Sequence, residues 1–104
     1  MARYDVHRNP NPRSREHTPY LVDVQADALS GLNSRVVVPL MEVGDGPRSP
    51  RTLYPTFAVE GRSSVMVTPL VAGLGLAAIG DRVAGLQDHG ATILAALDLV
   101  LTGA

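Results

Sequence analysis

The stretch that most limits the folds open to this chain is its last eighteen residues, Gln87 to Ala104. From Ile93 to Leu101 only Asp98 is polar. Ile93, Leu94, Leu97, Val100 and Leu101 fall at offsets 0, 1, 4, 7 and 8, which is the apolar stripe of an α-helix. Leu99 and the alanines carry the apolar character nearly all the way round, more than one core-facing side requires. The sequence then closes at Thr102-Gly103-Ala104. Such a helix calls for a covering surface, and a second polypeptide is the expected cover. The expectation is a protein that works by contact.

Upstream of this helix, proline and glycine cut the chain into short pieces. Tyr4–His7 reads as a short strand. Residues 8–19 carry three prolines, two asparagines and three arginines and predict an exposed loop. Tyr20–Gln25 alternates, with Tyr20, Val22 and Val24 on one side and Leu21, Asp23 and Gln25 on the other, a half-buried strand. Ala26–Ser34 bends, and Val36–Leu40 is a β-branched run whose Pro39 predicts an edge or a bend. Gly44–Pro50 is a breaker cluster. Leu53–Val59 is strand-like, with Pro55 again marking an edge, and Glu60-Gly61 turns it into Val65–Thr68. Gly73–Ile79 reads as a short strand or turn, followed by Arg82–Leu86. The final helix is expected to start near Gln87 or Asp88, with Asp88 as N-cap; Gly90 costs it about 1 kcal/mol relative to alanine. The sum is one domain over residues 1–104, mostly β (α+β), a barrel with one C-terminal helix.

Composition narrows the function. At 104 residues and 11.0 kDa the chain is near the size where a partner subunit helps. Its nine basic residues, all arginine, stand against ten acids, for a net charge of −1, without the basic excess of a nucleic-acid binder. Tyr4, Tyr20, Tyr54 and Phe57 are the only aromatics, too few for a base-stacking platform. Cysteine is absent, which excludes disulfides and thiolate metal sites and fits a reducing, cytoplasmic setting. The N-terminus lacks the apolar core of a signal peptide. The uncharged run Ser63–Gly80 is broken by Pro69, Gly73 and Gly75, so buried strands are expected there and no membrane span.

Catalytic and metal patterns are weak. His7, His17 and His89 lack ligand spacing and read as surface histidines, with no metal site. Ser63-Ser64 has no nucleophile-elbow frame. Gly73-x-Gly75 has Ala78 where a dinucleotide fingerprint needs its third glycine. Arg35 and Arg62 beside small polar residues allow an mRNA endonuclease reading, but neither has a general base near it in sequence.

The order of VDVQAD (Val22–Asp27), VVVPL (Val36–Leu40), LYP (Leu53–Pro55), VMVTPLVAGLGLAAIGDRVAGL (Val65–Leu86) and a closing helix ending in Gly103 and one apolar residue resembles the CcdB family of bacterial toxins. The match is collinear over nearly the whole chain. The resemblance implies an SH3-like β-barrel with a C-terminal α-helix, assembled as a homodimer, without catalytic residues or cofactors. It implies a toxin that wedges into the A subunit of DNA gyrase and traps the enzyme on cleaved DNA. A cognate antitoxin with a disordered tail would relieve the block, and operator DNA would be bound only through the toxin–antitoxin complex. Such a toxin needs only to bind one state of its target more tightly than the others.

Position by position, the resemblance places gyrase binding on Thr102, Gly103 and Ala104, on Asp98, on the loop pair Ala28 and Leu29, and on the supporting aromatic Tyr4. It places the antitoxin on loops 8–19 and 42–51, where Arg8, Arg13, Arg15, Arg48 and Arg51 would pair with an acidic tail. Thr102 stands where toxic members of the family have tryptophan, and Ala104 and Ala28 where they have larger aliphatic residues. A tryptophan hot spot contributes about 2 kcal/mol or more, so its loss would lower affinity by roughly thirtyfold. Two rivals remain: an mRNA endonuclease on the same barrel, and a non-toxic member retained as antitoxin partner.

Overall fold

The computed structural model describes residues 1–103. Strands β1 (Asp5–Arg8), β2 (Tyr20–Asp23), β3 (Ser34–Glu42), β4 (Thr56–Val59), β5 (Arg62–Met66), β6 (Ala72–Gly75) and β7 (Arg82–Gly85) precede one α-helix, α1 (Gly90–Thr102). All pairings are antiparallel, in the order β4-β5-β3-β2-β1-β7, with β6 also paired to β3. The curled sheet forms a small, mostly β barrel with the helix against it, as expected.

One face of the sheet makes the main core. Val6, Val22, Val38, Leu40 and Met66 meet Ile93, Ala96 and Leu97 of the helix. These three helical residues lie at offsets 0, 3 and 4, so the helix buries one stripe. Its burial contributes on the order of 1.5–3 kcal/mol for each large side chain. Leu94 and Leu101, seven residues apart on a neighbouring stripe, stay exposed, Leu101 by 70%. The helix is therefore not enclosed by its own chain among the described residues.

The prolines sit where the ladder tolerates them. Pro55 directly precedes the edge strand β4, and its carbonyl accepts the Met66 amide at 2.9 Å. Pro39 is on the longest strand, which is central and not at an edge. β3 pairs β6 through Ser34–Val37 and β5 through Leu40–Glu42 along one side. Pro39 falls between those two partners, where its carbonyl accepts from the Val67 amide at 3.0 Å and a missing donor does no harm. At the β4–β5 hairpin both Glu60 and Gly61 have positive φ, the backbone of a primed turn.

Two local expectations fail. Asp88 does not cap the helix: Gln87–His89 is a 3-10 turn, and His89 occupies the cap position without a side-chain hydrogen bond. The half-buried reading of Tyr20–Gln25 also fails, since every residue from Tyr20 to Gln25 is buried. Leu21 and Val37 form a second cluster with Ile79, joined by Leu74 of β6, and that cluster covers the face expected to meet solvent.

On this second face lie Asp23 and Arg35, each with its side chain 1% exposed. Arg35 Nε donates to Asp23 Oδ2 at 2.8 Å. Nη2 lies 2.5 Å from the same oxygen but is not aligned for a hydrogen bond, so that contact is ionic. A buried pair of this kind need not add stability over an apolar substitute, yet losing one partner strands the other charge. We expect Arg35→Ala to lower unfolding free energy by about 3–5 kcal/mol, measured by urea denaturation. The double variant Asp23→Leu/Arg35→Met should recover most of that loss.

Candidate functional site

The structure separates the sequence-predicted residues: the target-contact set divides between the two ends of the helix, and the arginines divide between two clefts. The first set begins at the helix terminus. Gly103 takes φ +75° and caps the helix, its amide donating to the carbonyls of Asp98 and Leu99 at 3.1 Å each. That left-handed conformation is why glycine stands there. Thr102 is exposed and folds its hydroxyl back to donate to the Asp98 carbonyl at 2.7 Å. Asp98 is exposed; Ala104 lies outside the described residues.

Tyr4 sits at the opposite end of the helix. A Cβ at Gly90 would lie 2.7 Å from Tyr4 Cε2, so the glycine that weakens the helix start lets the ring approach. Twelve helical steps of about 1.5 Å each separate that contact from Thr102 by about 18 Å. Tyr4 has φ 70°, an unfavourable conformation for a non-glycine residue. Several contacts enforce it. Its amide donates to the Asp23 carbonyl at 2.6 Å, its carbonyl accepts from Leu86 at 2.8 Å, and the Arg3 guanidinium lies 4.8 Å from the ring centroid. Arg3 also joins Tyr4 to the loop pair: its amide donates to Asp27 Oδ1 at 2.8 Å, at the head of the 3-10 turn Asp27–Leu29 that carries exposed Ala28 and Leu29.

The second set is the arginines, and the topology sorts them. Arg8 and Arg15 line a cleft of about 480 Å³ together with Asn9, Pro19, Arg62 and Asp81. Arg48 and Arg51 line a separate cleft of about 340 Å³ with Val43, Pro47, Ser63 and Val65. Arg62 and Ser63 are consecutive on β5, so the two clefts open on opposite faces of that strand. Arg13 lines neither. Asn9 orders the first loop by donating to Ser14 Oγ and the Thr18 carbonyl, both at 2.9 Å. His17 meets Asp45 at 3.3 Å and ties the two loops together.

Arg62 belongs with Arg8 and Arg15, a grouping that residue order alone did not reveal. It pairs with Glu42 and lies 5.8 Å from the Tyr20 ring centroid. The Tyr20 hydroxyl donates to Glu60 at 2.7 Å, and Glu60 also pairs with Arg8 at 3.2 Å. Burial pushes the Tyr20 hydroxyl pKa up and Glu60 pushes it further, against the opposing pull of Arg62.

Two other readings change. Arg35 is buried against Asp23 and cannot reach RNA from that position. His7 is buried, not on the surface, with Nδ1 3.0 Å from the Gly80 carbonyl. His89 is exposed, as expected of a surface histidine, and its ring packs against Phe57 with centroids 5.1 Å apart. Among the described residues no helix is long and apolar enough to cross a membrane.

The sequence pattern of the family described as CcdB protein matches residues 3–103. No curated protein sequence matches the chain. Among solved structures, the chain is similar to an endoribonuclease in complex with its cognate antitoxin, from a mycobacterial species. That likeness has TM-score 0.76 and 17% identity, over 97% of this chain and 94% of that one. It is also similar to the Mycobacterium tuberculosis toxin MazF-mt6, with TM-score 0.72 and 11% identity over 92% and 94% of the two chains. At these identities the likeness is one of fold.

The link between the N-terminal segment and β7 carries a pH dependence. Burial alone would raise the Asp5 pKa, but hydrogen bonds from Arg82, the Ala2 amide and Gln87, with the Arg82 charge, hold it below the ordinary aspartate value. A depressed folded value gives stability that is present above the unfolded value and lost as pH falls through the folded one. We expect Asp5→Asn to destabilise the protein at pH 7 and to flatten the acid limb of its stability curve, read by urea denaturation between pH 2 and 7. At the helix end, Gly103→Ala should cost about 1–2 kcal/mol locally, read as faster amide exchange in the last turn.

Proposed function

Because this chain belongs to the CcdB family of toxin–antitoxin toxins, matched over residues 3–103, we propose that it is a homodimeric toxin of the A subunit of DNA gyrase. On this reading it traps the cleaved-DNA complex, acts without chemistry of its own, and is neutralised by an acidic antitoxin tail. With the antitoxin it represses its own operon. Residues 1–104 act as one domain, and the setting is the cytoplasm.

The terminal helix carries the proposal. It gives one stripe to its own core and leaves Leu94 and Leu101 in solvent. Exposed leucines at this spacing fit contact with another polypeptide. Val36, Leu70 and Leu76 are further exposed apolar residues around β6. The backbone is bare at Gly73 and Gly75, where a Cβ would meet nothing within 4 Å, and this suits close approach of a second copy. The gyrase contacts are assigned to Thr102, Gly103, Ala104, Asp98, Ala28 and Leu29, with Tyr4 in support.

The antitoxin tail is assigned to the two arginine clefts, Arg8 and Arg15 in one and Arg48 and Arg51 in the other, with Arg13 on the loop between Arg8 and Arg15. A disordered acidic segment can follow both faces of a strand as a rigid partner cannot. The endonuclease alternative loses its first candidate residue, since Arg35 is sequestered.

Purified protein should make gyrase accumulate cleaved DNA in a supercoiling and cleavage assay. Thr102→Trp should increase potency, by up to about thirtyfold if the indole supplies a full hot spot; unchanged potency in a folded variant would remove Thr102 from the contact. Arg15→Glu should weaken binding of an acidic antitoxin peptide, more at low salt than at high salt, while gyrase binding stays the same. A protein that binds antitoxin yet never affects gyrase would instead be a non-toxic partner and co-repressor.

A further inference from the structure

The segment from Ala26 to Ser34 has a physical peculiarity. Every residue in it is exposed, so none of its side chains anchors it to the core, although Leu29 and Leu32 are apolar and about half exposed at 50% and 51%. Exposed backbone without a core anchor is the kind of segment that opens at little cost. Its conformation must therefore come from polar ties.

Backbone hydrogen bonds close the turn itself, from the Leu29 amide to the Ala26 carbonyl at 2.9 Å and from the Leu32 amide to the Leu29 carbonyl at 3.1 Å. One buried side chain ties it to the core. Gln25, 5% exposed, donates from Nε2 to the Leu29 carbonyl at 2.9 Å. Its Oε1 accepts the Val36 amide at 3.0 Å. One amide thus clamps the far side of the 3-10 turn to the first residues of β3. Gln25 is itself fixed, because its backbone amide donates to Asp23 Oδ1 at 3.0 Å, and the other oxygen of that carboxylate holds Arg35 at 2.8 Å. The chain of contacts runs from a buried ion pair through a buried amide to an exposed apolar loop. Among the described residues, the other side-chain tie on the turn is Asp27, whose Oδ1 accepts from the Arg3 amide.

We infer that Gln25 is a positioning residue for target recognition: without touching the target, it holds the Asp27–Leu29 turn in the shape that presents Leu29. This rests on the proposal that the turn contacts gyrase. A loop released from its clamp populates the competent shape only part of the time, and apparent affinity falls by that fraction. The antitoxin clefts are built from other loops and do not depend on it.

The test is Gln25→Met, which keeps the volume and removes both hydrogen bonds, with Asp27→Ala as an exposed second variant that does not disturb the core. Binding of the gyrase A subunit and of an acidic antitoxin peptide is measured for each, with amide exchange followed at Leu29–Leu32. The expected result is faster exchange in this segment, gyrase affinity about tenfold weaker for Gln25→Met and less for Asp27→Ala, and unchanged peptide affinity. Unchanged gyrase affinity despite faster loop exchange would overturn the inference. So would parallel loss of both affinities with faster exchange throughout the sheet, which would mark a general fold defect. Should Gln25→Met fail to fold, full gyrase affinity in Asp27→Ala with a loosened turn would overturn it equally. If the unaltered protein does not bind gyrase, the gyrase reading itself fails, and the exchange data still decide whether Gln25 holds the loop.

Discussion

Strand β3 sets the geometry of the molecule, because it serves three partners at once. Its nine residues pair β2 along one edge and β6, then β5, along the other. Two successive neighbours on one edge cannot continue the same flat surface, so the sheet curls where they part. A proline at this position in an unbroken ladder would remove a hydrogen bond. At the hand-over it removes none, and Pro39 becomes compatible with a central strand. The curl makes the inner face concave enough for a single helix to cover, and three helical side chains complete the core. What remains of the helix surface is left for something else.

The same strand explains why some of the fold is legible in the residues and some is not. Period-2 alternation identifies Tyr20, Val22 and Val24 as inward, and the helical stripe identifies Ile93 and Leu97; both hold because each pattern is local. The polar side of β2 looks solvent-facing for an equally local reason, since Asp23 and Gln25 seldom lie inside a protein. They are buried because Arg35, twelve residues on, brings a countercharge, while Leu74 and Ile79 arrive from beyond residue 70 to close that face. No window along the chain contains that set. His7 misleads in the same way, as its partner is the carbonyl of Gly80. Asp88 offers the right chemistry for a cap, but the 3-10 turn around it moves the helix start past it.

For the interaction surfaces, residue order carries less still. That Gly103 ends the helix is expected from the resemblance, and its positive φ supplies the reason. That Arg8 and Arg15 share a cleft with Arg62, while Arg48 and Arg51 face the other side of β5, follows only once the strands are paired. Arg13, chemically equal to its neighbours, belongs to neither cleft. Counting loop arginines therefore overstates how many can act together on one ligand, and the geometry divides them into two pairs.

The composition of the proposed target-facing surface bears on how such a protein would bind. Where toxic relatives are expected to place an indole, this chain has a threonine whose hydroxyl is occupied by its own helix. The apolar area available for contact then comes from Leu101 at one end and from Leu29 and Leu32 on a loop held by Gln25. A large aromatic anchor brings its contact area at low entropic cost, with two rotatable bonds. Leucines on a loop deliver theirs only if the loop is ordered beforehand. A surface that substitutes several modest aliphatic contacts for one dominant ring must be pre-organised, and on the proposed reading the buried ion pair and the buried amide serve that task. The polar interior of the second face, which stability alone does not require, is on this view part of the binding surface one layer down.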